Sequence, residues 1–144
     1  MNAPHGWLYW ALLSAAFAAL TAIFAKIGIR DVDSDLATLV RTVIIVFVLA
    51  AFVGLTGKWS DPRALPGRTL LFLTLSALAT GASWVCYFRA LQLGDASSVA
   101  PVDKLSVVLV ALFAVVFLGE RPSLQSCFGI GMIAGGVLLL SWRT

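Results

Sequence analysis

Charge is scarce in this chain. Asp, Glu, Lys and Arg make up 12% of its 144 residues, about half the ~25% share of an ordinary soluble domain. So few charges cannot clothe the surface that a soluble domain of this size exposes. There is a single histidine, His5, in the N-terminal tail. A His-based metal site or catalytic triad is therefore excluded. The two cysteines, Cys86 and Cys127, each lie inside an apolar stretch. They make neither a disulfide framework nor a zinc site. No phosphate loop, haem motif or metal-ligand spacing is present, so neither a metal nor any other cofactor is expected, and no enzyme activity. The formal net charge is +3, yet Lys and Arg are scattered singly. Without a basic run, nucleic acid is not an expected partner. The N-terminal tail lacks cations and the first apolar stretch is about 20 residues long, longer than a signal-peptide core, so a first membrane span is expected rather than a cleaved signal. Neither low-complexity sequence nor an internal repeat is visible.

What the chain has is apolar length. Hydrophobic residues make up 60% of it and the mean hydropathy is +0.98. That length accommodates about five membrane-spanning helices of roughly 20 residues and leaves no room for a soluble domain. The apolar stretches fall at about residues 7–28, 36–56, 69–93, 98–118 and 124–142. None alternates with period two, and all are too long for membrane strands of about 9–11 residues. A backbone in lipid must satisfy its own hydrogen bonds, so each stretch is expected to be helical. The expected fold is all-α: one integral membrane domain over residues 1–144, a bundle of five transmembrane helices in the lipid bilayer.

The breaks carry turn chemistry. Asp31 to Asp35 reads D-V-D-S-D, with Ser34 or Asp35 expected to cap the second helix. Gly94 is expected just past the end of the third helix. The run G-E-R-P-S from Gly119 to Ser123 is a tight turn, with Pro122 near the start of the last helix. Such short connections make successive helices antiparallel neighbours. Five spans put the termini on opposite sides. The N-terminal side then holds Lys58, Arg63, Arg68 and Arg121, and the other side holds Arg30 and Arg143. That count places the N-terminus in the cytoplasm. Adding Lys26 and Arg89, at helix ends on the far side, erases the difference, so dual topology is compatible with the sequence. Trp7, Tyr9, Trp10, Trp59 and Trp142 fall where interfacial aromatics anchor spans.

An ionisable residue inside a span costs about 2.5–3.5 kcal/mol or more. Five candidates lie in or at the ends of spans: Lys26, Arg41, Arg89, Asp103 and Lys104. Tracing helix direction puts all five in the half of the membrane opposite the N-terminus. Read together, they make a cationic vestibule suited to an anionic or carboxylate-bearing solute. The plainer reading is that they snorkel outward and pair with Asp31, Asp33, Asp35 and Asp95. Pro101 opens or kinks the fourth span just before Asp103 and Lys104. Adjacent residues on a helix point about 100° apart, so Asp103 and Lys104 are not expected to pair. Arg41 or Arg89 is then the expected partner of Asp103.

On the third helix, Ser76, Thr80, Ser83 and Tyr87 share one face, with Trp84 beside them. That stripe is either a cavity wall or a packing face with hydroxyls bonded to neighbouring backbone. Small residues Ser14, Ala18, Ala22 and Ala25 on the first helix point to close packing. The last helix carries Gly129, Gly131, Gly135 and Gly136. Gly131 and Gly135 form a G-x-x-x-G pair that lets helices approach closely, within one chain or between two.

From Tyr87 to Pro101 the chain reads Y-F-R-A-L-Q-L-G-D-A-S-S-V-A-P, and from Val116 it reads V-F-L-G-E-R-P-S. With the glycine-rich last helix, this resembles the EamA-type domain of the drug/metabolite transporter superfamily over essentially the whole chain. The last helix is also similar to the dimerisation helix of small multidrug resistance proteins. The resemblance implies a carrier of the bacterial plasma (inner) membrane that works by alternating access. Larger members hold ten helices in two inverted repeats, so five helices are one half of such a fold. The missing half implies a second copy, or a paralogue, in inverted orientation. Small multidrug resistance carriers use an acidic residue in their first helix, and none is present here. The expected activity is transport of a small polar or amphipathic metabolite, with Arg41, Asp103 and Lys104 binding or gating and the third-helix stripe lining the path. A lipid-linked carrier or flippase subunit that grips a phosphate headgroup is one alternative. A non-transporting scaffold or accessory subunit is the other.

Overall fold

A computed structural model describes residues 6–142, apart from the side chain of Arg63. His5 and Arg143 lie outside the described residues. All regular structure among the described residues is helical, with no strand. The helices are α1 (Gly6–Gly28), α2 (Ser34–Leu55), α3 (Gly67–Leu93), α4 (Ala96–Asp103), α5 (Ser106–Leu118) and α6 (Leu124–Ser141), with a single 3-10 turn at Pro62–Ala64. Five stretches are long and apolar enough to cross a membrane: Gly6–Gly28, Ser34–Leu55, Gly67–Leu93, Ala96–Leu118 and Leu124–Ser141. The fourth comprises two helices, α4 and α5.

The helix ends follow from particular side chains. Asp33, not Ser34 or Asp35, caps α2: its Oδ1 accepts from the amides of Asp35 at 2.9 Å and Leu36 at 3.1 Å. The carboxylate one residue before the helix reaches the orphan amides of the first turn, whereas Ser34 already lies inside it. At the other end of α2, Gly57 takes φ +65°. Its amide bonds to Gly54 O and the Lys58 amide to Val53 O, both at 3.2 Å. This paired closure satisfies the last carbonyls and favours glycine at the left-handed position. Gly119 ends α5 in the same region, at φ +67°. Ser123 caps α6 by accepting the Ser126 amide at 3.1 Å.

The chain divides into two compact units, one made of residues up to Ile23 together with Leu93 onward, the other of Phe24–Gln92. In the first unit, α4 and α5 both pack on α6. In the second, side chains join α2 to α3 and the end of α1 to α3. The buried apolar set is small: Ala22, Ala25, Ile29, Phe88, Leu91 and Val137. Large apolar side chains face outward along the spans, with Phe47 71% and Leu118 73% exposed. Such a surface needs lipid or another protein against it. Of the small residues on α1, Ala22 and Ala25 are buried, whereas Ser14 and Ala18 are exposed.

Candidate functional site

Arg41 lies two turns into α2. Its guanidinium carbon sits 4.3 Å from the centroid of the Trp84 ring and 5.3 Å from that of Phe88. Trp84 and Phe88 are four residues apart on α3, so they present one face, and Phe88 is only 2% exposed. A guanidinium over an indole gains roughly 0.5–2 kcal/mol, more as water is excluded. That offsets part of the cost of holding a cation within a span. Among the described residues no carboxylate forms an ion pair with Arg41. Below it on α2, Ser34 and Thr38 are buried polar residues. Their chemistry is internal: Thr38 donates to Ser34 O at 2.8 Å, and Thr42 donates to Thr38 O at 2.7 Å.

The same unit gathers polar ties at the ends of its helices. Lys26 Nζ donates to Leu91 O at 2.6 Å, joining α1 to α3. Gln92 Nε2 donates to Val32 O at 2.7 Å, holding the loop between α1 and α2. Arg89 bonds to Asp35 Oδ2 at 3.2 Å, with both side chains more than half exposed. Lys26 and Arg89, expected at a common vestibule, thus lie at one end of this unit, each engaged with a neighbour.

Asp103 and Lys104 belong to the other unit, and here the structure corrects the sequence reading. Lys104 Nζ bonds to Asp103 Oδ2 at 3.3 Å. The 100° argument holds only inside a regular helix, and α4 ends at Asp103. Amide bonds Lys104 N to Pro101 O and Leu105 N to Val102 O, both 3.0 Å, tighten the chain into three-residue turns. The long lysine stem then reaches back to its neighbour. Asp103 therefore takes Lys104, and Arg89 takes Asp35, in place of the expected Asp103–arginine pair. Pro101 sits inside α4, not in its first turn as a simple restart requires, and two residues later the helix stops. Its missing N–H and the tightened turn after it explain why one span is built from two helices.

The α3 stripe is less uniform than its spacing. Ser76, Thr80 and Ser83 are exposed, and Thr80 donates to Ser76 O at 2.9 Å within its own helix. Trp84 and Tyr87 are half-buried. On α6, a Cβ added to Gly129, Gly131, Gly135 or Gly136 meets no atom within 4 Å. The small-residue face is therefore not filled from within the described chain. No cluster of metal-ligating side chains occurs among the described residues.

Residues 5–142 match the EamA-like transporter family. The chain belongs to that family. Over 137 residues it is 62% identical to an "Uncharacterized transporter in cobO 3'region" of Sinorhizobium sp, covering 95% of this chain and 97% of that protein. It is 33% identical over 86 residues to a "Probable 4-amino-4-deoxy-L-arabinose-phosphoundecaprenol flippase subunit ArnE" of Yersinia pestis (strain Pestoides F), covering 59% of this chain and 75% of that one. No solved structure matches. This EamA-like chain is an integral membrane protein of a transporter family, and its curated relatives are named as transporters or flippase subunits.

Two members of the candidate site escaped the sequence reading. Phe88, the second ring beside Arg41, reads as an ordinary core residue, although its spacing of four from Trp84 was a usable signal. Gln92, which ties the α1–α2 loop, falls at a helix end where side-chain polarity carries no special mark.

Proposed function

We propose that this chain is one five-helix half of a carrier that moves a small polar or amphipathic solute bearing an anionic group. The observation that carries this reading is Arg41 inside a span, stacked on Trp84 and Phe88 and not ion-paired to any described carboxylate. A cation held there by rings keeps its charge available for an incoming anion, and an anion repays the remaining burial cost. Transport follows alternating access, and a second five-helix chain in inverted orientation completes the pathway. Residues 1–144 act as one domain, in a bacterial plasma membrane, with the N-terminus cytoplasmic or both orientations present.

In this reading Asp103 and Lys104 gate the fourth span at the break after Pro101. Ser76, Thr80, Ser83, Trp84 and Tyr87 line the path, Lys26 and Arg89 border its mouth, and Gly129, Gly131, Gly135 and Gly136 pack against the second chain. The likeness to a protein named as a lipid-linked sugar flippase subunit favours a second reading. There the anionic group is a phosphate on a lipid. Arg41 serves both readings.

The test is flux in proteoliposomes. The probes are a fluorescent phospholipid with a phosphate monoester head, a fluorescent dicarboxylate, and ethidium as the cationic control. Protein-dependent movement of either anion, reduced about tenfold in Arg41→Gln by loss of one charge-assisted contact, supports the proposal. The anion that moves decides between the two readings. Equal flux by wild type and Arg41→Gln, or movement of ethidium alone, overturns it.

A further inference from the structure

A concavity lies at the helix ends of the Phe24–Gln92 unit, lined by Lys26, Ile29, Arg30, Leu91 and Gln92. Its volume is about 390 Å³, room for a headgroup-sized ligand. We infer that this pocket binds a phosphate group at the membrane surface. Its apolar lining is well buried: Ile29 is 2% exposed and Leu91 is fully buried. Two of the five lining residues are cations and none is a carboxylate.

Both α1 and α3 end beside the pocket, and helix C-termini repel anions. Two carbonyls of this region are already engaged, one on α3 and one in the loop after α1. Lys26 donates to Leu91 O and Gln92 donates to Val32 O. The bond from Lys26 to Leu91 O holds the ammonium at the edge of the pocket. Arg30 is exposed, in the turn just past α1, and forms no ion pair with the described carboxylates. It offers a planar fork beside the point charge of Lys26, a combination that suits the several oxygens of a phosphate better than one carboxylate. The position agrees as well. The pocket is at span ends, where lipid phosphates are expected, and the apolar Phe24 and Ile27 of the last turns of α1 are 66% and 59% exposed. Basic pockets at that level hold anionic headgroups. This site does not include Arg41, so either assignment can fail alone.

Native mass spectrometry of the purified full chain tests it. The protein is taken from nanodiscs of phosphatidylglycerol, or of phosphatidylcholine with its added positive charge. The expected result is one retained phosphatidylglycerol, preferred about tenfold over phosphatidylcholine. Lys26→Met with Arg30→Gln should abolish the preference. Arg30→Gln alone, which leaves the Lys26–Leu91 tie intact, should lower it severalfold with unchanged helicity. The Lys58→Gln, Arg68→Gln pair should retain it. Inorganic phosphate added before analysis separates the sources. Displacement of the lipid assigns the site to phosphate in general, and retention assigns it to the lipid headgroup. Equal retention of the two lipids, or an unchanged preference in Arg30→Gln and in the double variant, overturns the inference.

Discussion

At the residue scale, Arg41 shows how a cation tolerates a span. Its position depends on two rings one turn apart on another helix. The sequence displays the arginine and the rings separately, 43 residues apart from Arg41 to Trp84. Their meeting is a tertiary event, which no local pattern encodes. A double-mutant cycle of Arg41→Lys and Trp84→Leu measures it. Lysine keeps the charge but lacks the planar fork that stacks on an indole. The expected coupling is about 0.5–2 kcal/mol of folding stability, read by reversible unfolding in mixed micelles. Strict additivity would mean that the stacking contributes nothing.

Asp33 and Asp35 make a second contrast at this scale, because charge alone predicts similar roles for them. Asp33 accepts two amides at the start of α2, whereas Asp35 forms an exposed ion pair with Arg89. Replacing a cap costs about 1 kcal/mol, and an exposed pair is worth roughly 0–1 kcal/mol. Asp33→Ala should therefore lower the melting temperature clearly, and Asp35→Asn should shift it little. The reverse order would show that the ion pair, not the cap, holds this end of α2. The sequence placed the cap within the D-V-D-S-D turn but one or two residues late, because the helix starts at Ser34.

At the scale of elements, the spans were legible because lipid imposes length and apolarity on them. Four of the stretches crossing the membrane are single helices, and the fourth in order is divided. Pro101 signalled that division. What it did not signal was that the chain tightens after the proline, at Lys104 and Leu105, and so turns Lys104 toward Asp103. Gly119 is a further point where one residue type decides an element's end. Its φ of +67° lies where an L side chain meets the neighbouring carbonyl, at a cost of roughly 1–2 kcal/mol. Nothing surrounds it within 4 Å, so Gly119→Ala isolates that backbone cost. The expected result is a lower melting temperature with unchanged helix content. An unaltered melting temperature would mean that the turn relaxes to another geometry at no cost.

At the scale of the whole molecule, the outward apolar surface and the open glycine face lead to one expectation. A Cβ at Gly131 or Gly135 touches nothing in the described chain. If these glycines exist for contact with a second five-helix chain, a large residue there harms assembly and leaves the single chain sound. Gly135→Leu should then leave monomer helicity and melting unchanged. It should also abolish disulfide-trapped dimers formed through a cysteine placed beside it, at Met132, in a background with Cys86 and Cys127 replaced by Ala. Orientation supplies the independent arm. The loop cations favour one insertion by a small margin, and the helix-end cations cancel it. Reporters at the C-terminus should register on both sides of the membrane for an inverted homodimer. Adding two lysines to the 57–68 loop should collapse that mixture to one orientation and remove the dimer along with it. A dimer that survives in a single orientation would be parallel or would contain a paralogue. The glycine face would then serve contact without inversion.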